Sequence, residues 1–199
     1  MWISTLLIQL LKLLLGASAR FESAPDFSGQ RIYFANHTSH IDTLAIMAAL
    51  PKEARIKTKP VAAADYWGKN RFLHYIATRG LNGVLIERKP GEGVDPLEPV
   101  RRVLEEGSSV IIFPEGTRSF QALPGDFKSG LYRLHKAFPD AQLVPVYLDN
   151  LYRSMPKGKH VPLPIICTIR VGDPIAIIEN EDKDQFLIRA REAVVRLSN

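Results

Sequence analysis

Hydrophobic positions along the chain fall into three patterns, and each predicts a different element. From Met1 to Leu15 nearly every residue is apolar; apart from Ser4, the exceptions Thr5, Gln9 and Lys12 stand at i, i+4 and i+7, one narrow stripe of a helix. Farther on come short, nearly unbroken runs at Arg31–Ala35, Val84–Ile86, Ser109–Phe113, Leu143–Leu148 and Ile165–Val171. Runs of this length without polar alternation are the pattern of strands buried on both faces. Ile56–Ala63 reads as a further strand with an irregular middle, because Pro60 has no N–H to give a ladder. The third pattern is helical. It covers Ser39 to Leu50, closed by Pro51; Gly68 to Thr78; a helix opened by Asp95-Pro96 and running through Val100, Val103 and Leu104 to Gly107; and Gly130 to Phe138. An amphipathic closing helix spans Asp184 to Leu197, with Phe186, Leu187, Ala190, Val194 and Leu197 on its apolar side. Phe21 to Gln30 reads as a polar linker. Strands alternating with helices predict an α/β fold, a mostly parallel central sheet flanked by helices on both faces.

The amino-terminal helix is too short to cross a bilayer comfortably. Some 14 residues rise only about 21 Å, against a hydrocarbon core about 30 Å thick. Its leucines cover most of the circumference, more than one contact face needs. We read it as a half-immersed helix on a membrane surface, with Thr5, Gln9 and Lys12 toward water or protein. Two alternatives stand beside that reading: a core-packing helix, and a signal peptide cleaved near Ala17-Ser18-Ala19, which lacks a basic residue ahead of its apolar stretch. Residues 1–20 are accordingly set apart as the membrane-associating helix and residues 21–199 as one folded domain. The expected location is the cytoplasmic face of a membrane, peripheral or monotopic.

Composition narrows the partners. The formal charge of +5 favours anionic ones, but the cations are dispersed and no nucleic-acid module appears, so nucleic acid is not expected. A phospholipid surface and phosphate-bearing substrates account for the same balance. Lys157-Gly158-Lys159-His160, in a Pro-punctuated loop, reads either as a solvated loop or as a contact for head groups or coenzyme A. The lone Cys167 excludes an internal disulfide and reads as a buried strand residue.

Candidate chemistry begins at Asn36-His37-Thr38-Ser39-His40-Ile41-Asp42. A histidine held by a carboxylate is the usual device for deprotonating a hydroxyl near neutral pH. On a continuous helix, residues five apart are separated by roughly 140°. His37 and Asp42 therefore meet only if the histidine lies in the strand-to-helix turn and the acid in the first helical turn, with Ser39 as N-cap. Ser39-x-x-Asp42 is equally a capping box, in which Asp42 would only satisfy the helix start. His40 reads as a surface or packing residue. A second segment, Pro114-Glu115-Gly116-Thr117-Arg118-Ser119, breaks a buried strand at its carboxyl end, where open α/β sheets bind ligands. There Gly116 allows close backbone approach and Arg118 offers a forked cation.

These motifs resemble those of the 1-acyl-sn-glycerol-3-phosphate acyltransferase family of glycerolipid acyltransferases. The family carries an N-H-x-S-x-x-D motif, a hydrophobic segment ending in arginine, an F-P-E-G-T-R-S motif and a later V-P-V strand. They match Asn36 to Asp42, Leu85-Ile86-Glu87-Arg88, Phe113 to Ser119 and Val144-Pro145-Val146, in the same order and spacing. The family often has aspartate where Glu87 stands and glycine where Asn82 stands, with Gly83 one place later. The resemblance implies transfer of a fatty acyl group from acyl-CoA or acyl carrier protein to the free hydroxyl of 1-acylglycerol-3-phosphate, giving phosphatidic acid. It implies His37 as general base, Asp42 as its orienting acid, and Arg88 and Arg118 as holders of the acceptor's phosphate. Glu115, Gly116 and Thr117 would shape the glycerol end, Glu115 touching a hydroxyl or holding Arg118. Lys128 is a further candidate for phosphate or coenzyme A, and Ser39 would lie near the base as a cap or, alternatively, as an acyl carrier. No metal or cofactor is expected, since His37, His40 and Asp42 offer one incomplete ligand set and glycine-rich phosphate loops are absent. Alternatives are another acceptor (glycerol-3-phosphate, a lysophospholipid or a lyso-aminolipid), transacylation without a thioester, and a non-catalytic membrane-surface lipid-binding protein.

Overall fold

The structure is a computed structural model; it describes residues 8–13, 16–88, 91–155 and 163–199, without the side chains of residues 72 and 73. The loop at 157–160 and most of the 1–15 segment lie outside the described residues. The strands are β1 Ser18–Phe21, β2 Arg31–Ala35, β3 Thr58–Ala63, β4 Val84–Ile86, β5 Ser109–Ile112, β6 Gln142–Asp149 and β7 Thr168–Val171. They form one sheet in the order β1-β7-β6-β2-β5-β3-β4. All neighbours are parallel except β6 and β7, so β1 and β7 run against the other five strands.

Strand β2 sits at the centre, and its side-chain alternation divides the core in two. Tyr33 and Ala35 face one layer with Ala45, Ile46 and Ala48 of the Asp42–Ala49 helix. Ile32 and Phe34 face the other layer, packed with Val100, Leu104, Leu131, Leu134, Phe186 and Val194 from three helices. Each such side chain removed from water contributes about 1.5–3 kcal/mol. The α/β reading with helices on both faces thus describes the molecule.

Several boundaries move from their expected places; the last strand, for one, begins at Thr168 and leaves Cys167 outside it. Phe21 is not linker: it ends β1, paired with Val171, and its ring meets Phe27 edge-on at 5.9 Å. The division between residues 20 and 21 therefore cuts a strand hydrogen-bonded into the sheet. Ile56 and Lys57 belong to the Lys52–Lys57 helix rather than to β3, and Thr58 closes that helix by donating its hydroxyl to Ala54 O at 2.8 Å. The expected Gly68–Thr78 helix is broken into Ala64–Trp67, Arg71–Tyr75 and a π-helical turn at Ile76–Gly80. Asp182 rather than Asp184 opens the last helix, accepting the N–H groups of Asp184 and Gln185. The described part of the amino-terminal helix shows two characters at once. Ile8 and Leu11 are buried in the core, while Leu10 and Leu13 are exposed together with Gln9 and Lys12. Among the described residues no helix is long and apolar enough to cross a membrane.

Pro60 has a larger consequence than irregularity. Thr58, Lys59 and Pro60 pair with β5, whereas Val61, Ala62 and Ala63 pair with β4. The ladder to β5 ends at the residue that cannot donate, and the sheet splays there. A cleft opens between the carboxyl ends of β3 and β5, lined on one side by Val61, Ala62 and Ala63.

Candidate functional site

The motif residues converge on that cleft because they follow parallel strands at the same edge of the sheet. His37 comes two residues after β2, Arg88 two after β4 and Glu115 three after β5. The turn beyond β2 is held almost entirely by buried main-chain hydrogen bonds. Asn36, fully buried, accepts the Leu148 N–H at 2.8 Å through its Oδ1 and donates through Nδ2 to the carbonyls of Leu148 and Ala122. Asp42, also fully buried, accepts the N–H groups of Thr38 at 2.6 Å and Ser39 at 2.8 Å on one oxygen, Oδ2. The same oxygen lies 2.9 Å from His37 Nδ1. The two readings of Asp42, orienting acid and structural cap, are therefore one arrangement. With the carboxylate accepting, Nδ1 carries the imidazole proton and Nε2 is the nitrogen left with a free lone pair. The ring is clamped from its face by Phe113, stacked at 4.1 Å and 20°.

Ser39 does not cap the helix as expected. The helix begins at Asp42 with Ile41 as N-cap and no side-chain cap, because the Asp42 carboxylate already takes the N–H groups of the turn. Ser39 instead donates its hydroxyl to Met155 O at 2.7 Å. It is buried, yet it contributes to the wall of the His37 cavity.

The second motif is stitched to the first in both directions. Glu115 Oε1 accepts the His37 N–H at 2.8 Å, and the Ser119 N–H donates to His37 O at 2.7 Å. Glu115 Oε2 accepts the Gly125 N–H at 3.0 Å. The expected role of this glutamate, touching a substrate hydroxyl or holding Arg118, is replaced by a clasp on main-chain donors behind the imidazole. Burial pushes the Glu115 carboxyl above the usual carboxylate range, partly countered by those two N–H groups. Gly116 has φ +70°, a conformation that favours glycine, and the Lys128 ammonium lies 2.9 Å from where a Cβ would stand. Lys128 thus drapes over Gly116 at the cleft.

The cations are arranged differently. The Arg88 guanidinium forks onto the Asp65 carboxylate, through Nε at 3.1 Å and through Nη2, and donates from Nη1 to Gly116 O at 3.1 Å. That pairing holds the Asp65 carboxyl below its usual range. Arg118 lies 5.3 Å above the Tyr66 ring, and burial lowers its pKa. The Tyr66 hydroxyl in turn meets His40 Nδ1 at 3.1 Å, and His40 stands in the wall of the cavity beside it. The Arg88 motif departs from its family pattern at Asn82, and the backbone explains the exchange. Asn82 has φ +55°, and asparagine is among the few side chains that tolerate this region where glycine is the default. Gly83 beside it cannot carry a side chain, since a Cβ would come within 2.8 Å of Ala77 O.

Two cavities meet at His37, Phe113 and Arg88. One, about 350 Å³, is walled by Ser39, His40, Tyr66, Trp67, Leu81, Thr117 and Arg118. The other, about 260 Å³, is mostly apolar, walled by Ile86, Leu97, Ile112 and Leu131 with Gly116 and Lys128 at its rim. Of the expected residues, His37, Ser39, Arg88, Gly116, Thr117, Arg118 and Lys128 line these spaces, while Asp42 and Glu115 stand behind the imidazole. Asp65, Tyr66 and the small residues of β3 were not singled out from the sequence. Asp65 belongs to no motif, and nothing short of the fold says that it faces Arg88.

Comparison with known proteins gives the family and the fold. The family model described as Acyltransferase matches residues 19–149. A 1-acyl-sn-glycerol-3-phosphate acyltransferase of Chlamydomonas reinhardtii is 30% identical over 176 residues, covering 87% of this chain and 50% of that protein. One from Cocos nucifera is 28% identical over 179 residues, covering 88% of this chain and 55% of its own length. The chain thus spans about half the length of these relatives. The crystal structure of the 1-acyl-sn-glycerophosphate acyltransferase PlsC from Thermotoga maritima superposes with a TM-score of 0.73 at 19% identity, over 98% of this chain and 80% of that one. It has the same fold. The match of the family model over most of the chain, on a sheet that brings His37, Asp42 and the Glu115 turn to one edge, shows that this protein belongs to the acyltransferase family.

Proposed function

We propose that the protein transfers a fatty acyl group from a thioester of coenzyme A or acyl carrier protein to the free hydroxyl of 1-acylglycerol-3-phosphate. The observation that carries this reading is the 2.9 Å contact between His37 Nδ1 and a buried Asp42, at the meeting point of a cation-lined cavity and an apolar one. His37 Nε2 takes the proton of the acceptor hydroxyl as its oxygen attacks the thioester carbonyl. Asp42 stabilises the imidazolium that forms. Collapse of the tetrahedral intermediate expels the thiolate, which recovers the proton from His37. General-base help accounts for about 10² to 10⁴ in rate; the rest comes from holding two lipids in register and from donors near the developing oxyanion. No serine ester is needed. The Ser39 hydroxyl proton is given to Met155 O, which favours direct transfer over an acyl-serine route.

The acceptor's phosphate fits the rim where Arg88, Arg118 and Lys128 gather, and guanidinium forks suit it. Arg88 is already engaged by Asp65, so the phosphate displaces one anion rather than meeting a bare cation. The apolar cavity suits a hydrocarbon chain. The exposed Leu10 and Leu13 support peripheral or monotopic attachment of residues 1–20 to a membrane, which this reading puts at its cytoplasmic face. Incubating the purified protein with 1-acylglycerol-3-phosphate and acyl-CoA, with glycerol-3-phosphate, lysophospholipids and a lyso-aminolipid as parallel acceptors, tests the reading. Mass spectrometry is expected to find phosphatidic acid with the first. Equal rates on acceptors without phosphate would remove the cationic rim from the mechanism, and turnover without any thioester would replace the donor.

A further inference from the structure

The stretch from Tyr66 to Ile86 contains Lys69, Arg71, His74 and Arg79 and not one carboxylate. Its inner and outer sides differ sharply. Tyr66, Trp67, Ala77 and Leu81 wall the His37 cavity. On the outer side Lys69, Arg71, His74 and Arg79 are exposed, and they surround a broad shallow concavity with Tyr75, itself 51% exposed. The π-helical turn does the sorting: within Ile76–Gly80, Ala77 and Gly80 are buried while Arg79 points to solvent. Neither Arg71, His74 nor Arg79 takes part in the proposed chemistry.

We propose that this outer face is a docking surface for an anionic lipid bilayer, which sets the wall of the catalytic cleft against the head groups. The inference rests on the acyltransferase reading only in that the cleft's substrates are lipids. Charge complementarity carries it: a concavity lined by Lys69, Arg71, His74 and Arg79 and by no acid, with Asp65 beside Lys69 at its edge, fits an anionic leaflet. The exposed tyrosine amid cations selects a bilayer over an acidic protein, because amphipathic aromatic rings settle at the head-group level. Docking here holds the wall of the His37 cavity at the level of the head groups.

The test uses the full-length protein and flotation with vesicles of phosphatidylcholine alone or with ~30 mol% phosphatidylglycerol, a range in which each nearby cation contributes a factor of about five to partition. Wild-type protein is expected to prefer the anionic vesicles and to lose that preference in high salt. The double variant Arg71→Gln/Arg79→Gln is expected to bind them about 25-fold more weakly, and Arg71→Glu/Arg79→Glu to show a larger loss in the same direction. Leu10→Ser/Leu13→Ser is expected to keep the salt-sensitive preference. On a water-soluble, short-chain acceptor and acyl-CoA, the charge-reversed variant is expected to turn over at the wild-type rate. If wild type itself is inactive there, the acyltransferase reading fails while the vesicle result still judges this one. Equal binding of wild type and the charge-reversed variant to anionic vesicles would overturn the proposal. So would a loss, in that variant, of binding to an acidic acyl carrier protein with vesicle binding intact.

Discussion

The base and the anion rim of this site sit a few residues apart in the fold and are built on opposite principles. His37 is fixed by buried groups: Asp42, Asn36 and the Glu115 clasp, nearly all of them acting on main-chain N–H and C=O. Arg88 is held by Asp65, a pair whose side chains are 40% and 55% exposed. The difference follows what each half has to do. A proton-transfer group loses rate when it drifts, so its supports are those that water cannot exchange. A binding cation has to trade its resting partner for the substrate, so an exposed ion pair of low net worth is the suitable store.

Five variants break or sharpen this contrast. His37→Ala carries the largest expected effect, a fall of about 10³ in kcat, with a melting temperature close to wild type because the ring is partly exposed. Product mass spectrometry and thermal denaturation together read it. Asp42→Asn is expected to lose both properties at once. All three contacts fall on Oδ2, so an amide oxygen there keeps them but loses the charge that steadies the imidazolium. Its NH2 takes the place of Oδ1, a buried atom that no donor or acceptor reaches among the described residues; kcat falls about 10²-fold and urea denaturation shows a cost of about 1–3 kcal/mol. Arg88→Ala is expected to act on affinity alone, raising the KM for a phosphate-bearing acceptor about tenfold or more with kcat and stability little changed. Asp65→Ala, which releases Arg88, is expected to lower that KM. If both variants raise it equally, the pair is structural and the contrast fails.

Glu115→Gln gives the smallest effect and the only one with a sign in pH. Because burial raises the folded carboxyl above its ordinary 4.5, the folded state favours the neutral acid. That contribution to stability is complete below about pH 4.5 and is lost as pH rises through the raised value. Glutamine does not titrate, so the melting-temperature gap between wild type and the variant is expected to narrow from about pH 4 to about pH 7. A widening gap would mean that the main-chain donors, not burial, control this group.

What the amino-acid pattern could disclose depended on whether the cause was local. The His37–Asp42 meeting is a matter of one turn between a strand and a helix, so the spacing could state the condition for it, with a capping box as the equal alternative. The central strands β2, β5 and β6 were legible because burial on both faces leaves them continuously apolar. Asn82 and Gly116 carried their backbone demands in their side chains, or the lack of one. The Arg88–Asp65 pair joins residues 23 apart, on a segment whose helices had been read as one. Ser39 had the composition of a cap, but its hydroxyl answers to Met155, a residue 116 positions away. Likewise the apolar run before Val171 announces a strand and says nothing of its direction, which only pairing with β6 decides.

That direction has a further effect. Since β7 turns against β6 and β1 follows β7, Ser18 lies level with Thr168, which lies level with Asp149, the last residue of β6. The chain therefore enters the sheet at the very pole where the parallel strands end and the imidazole waits. Had β1 run with the majority, the leucine-rich prelude would have been moored at the far pole, a full strand length from the chemistry. One reversed pair gives the molecule a single working end.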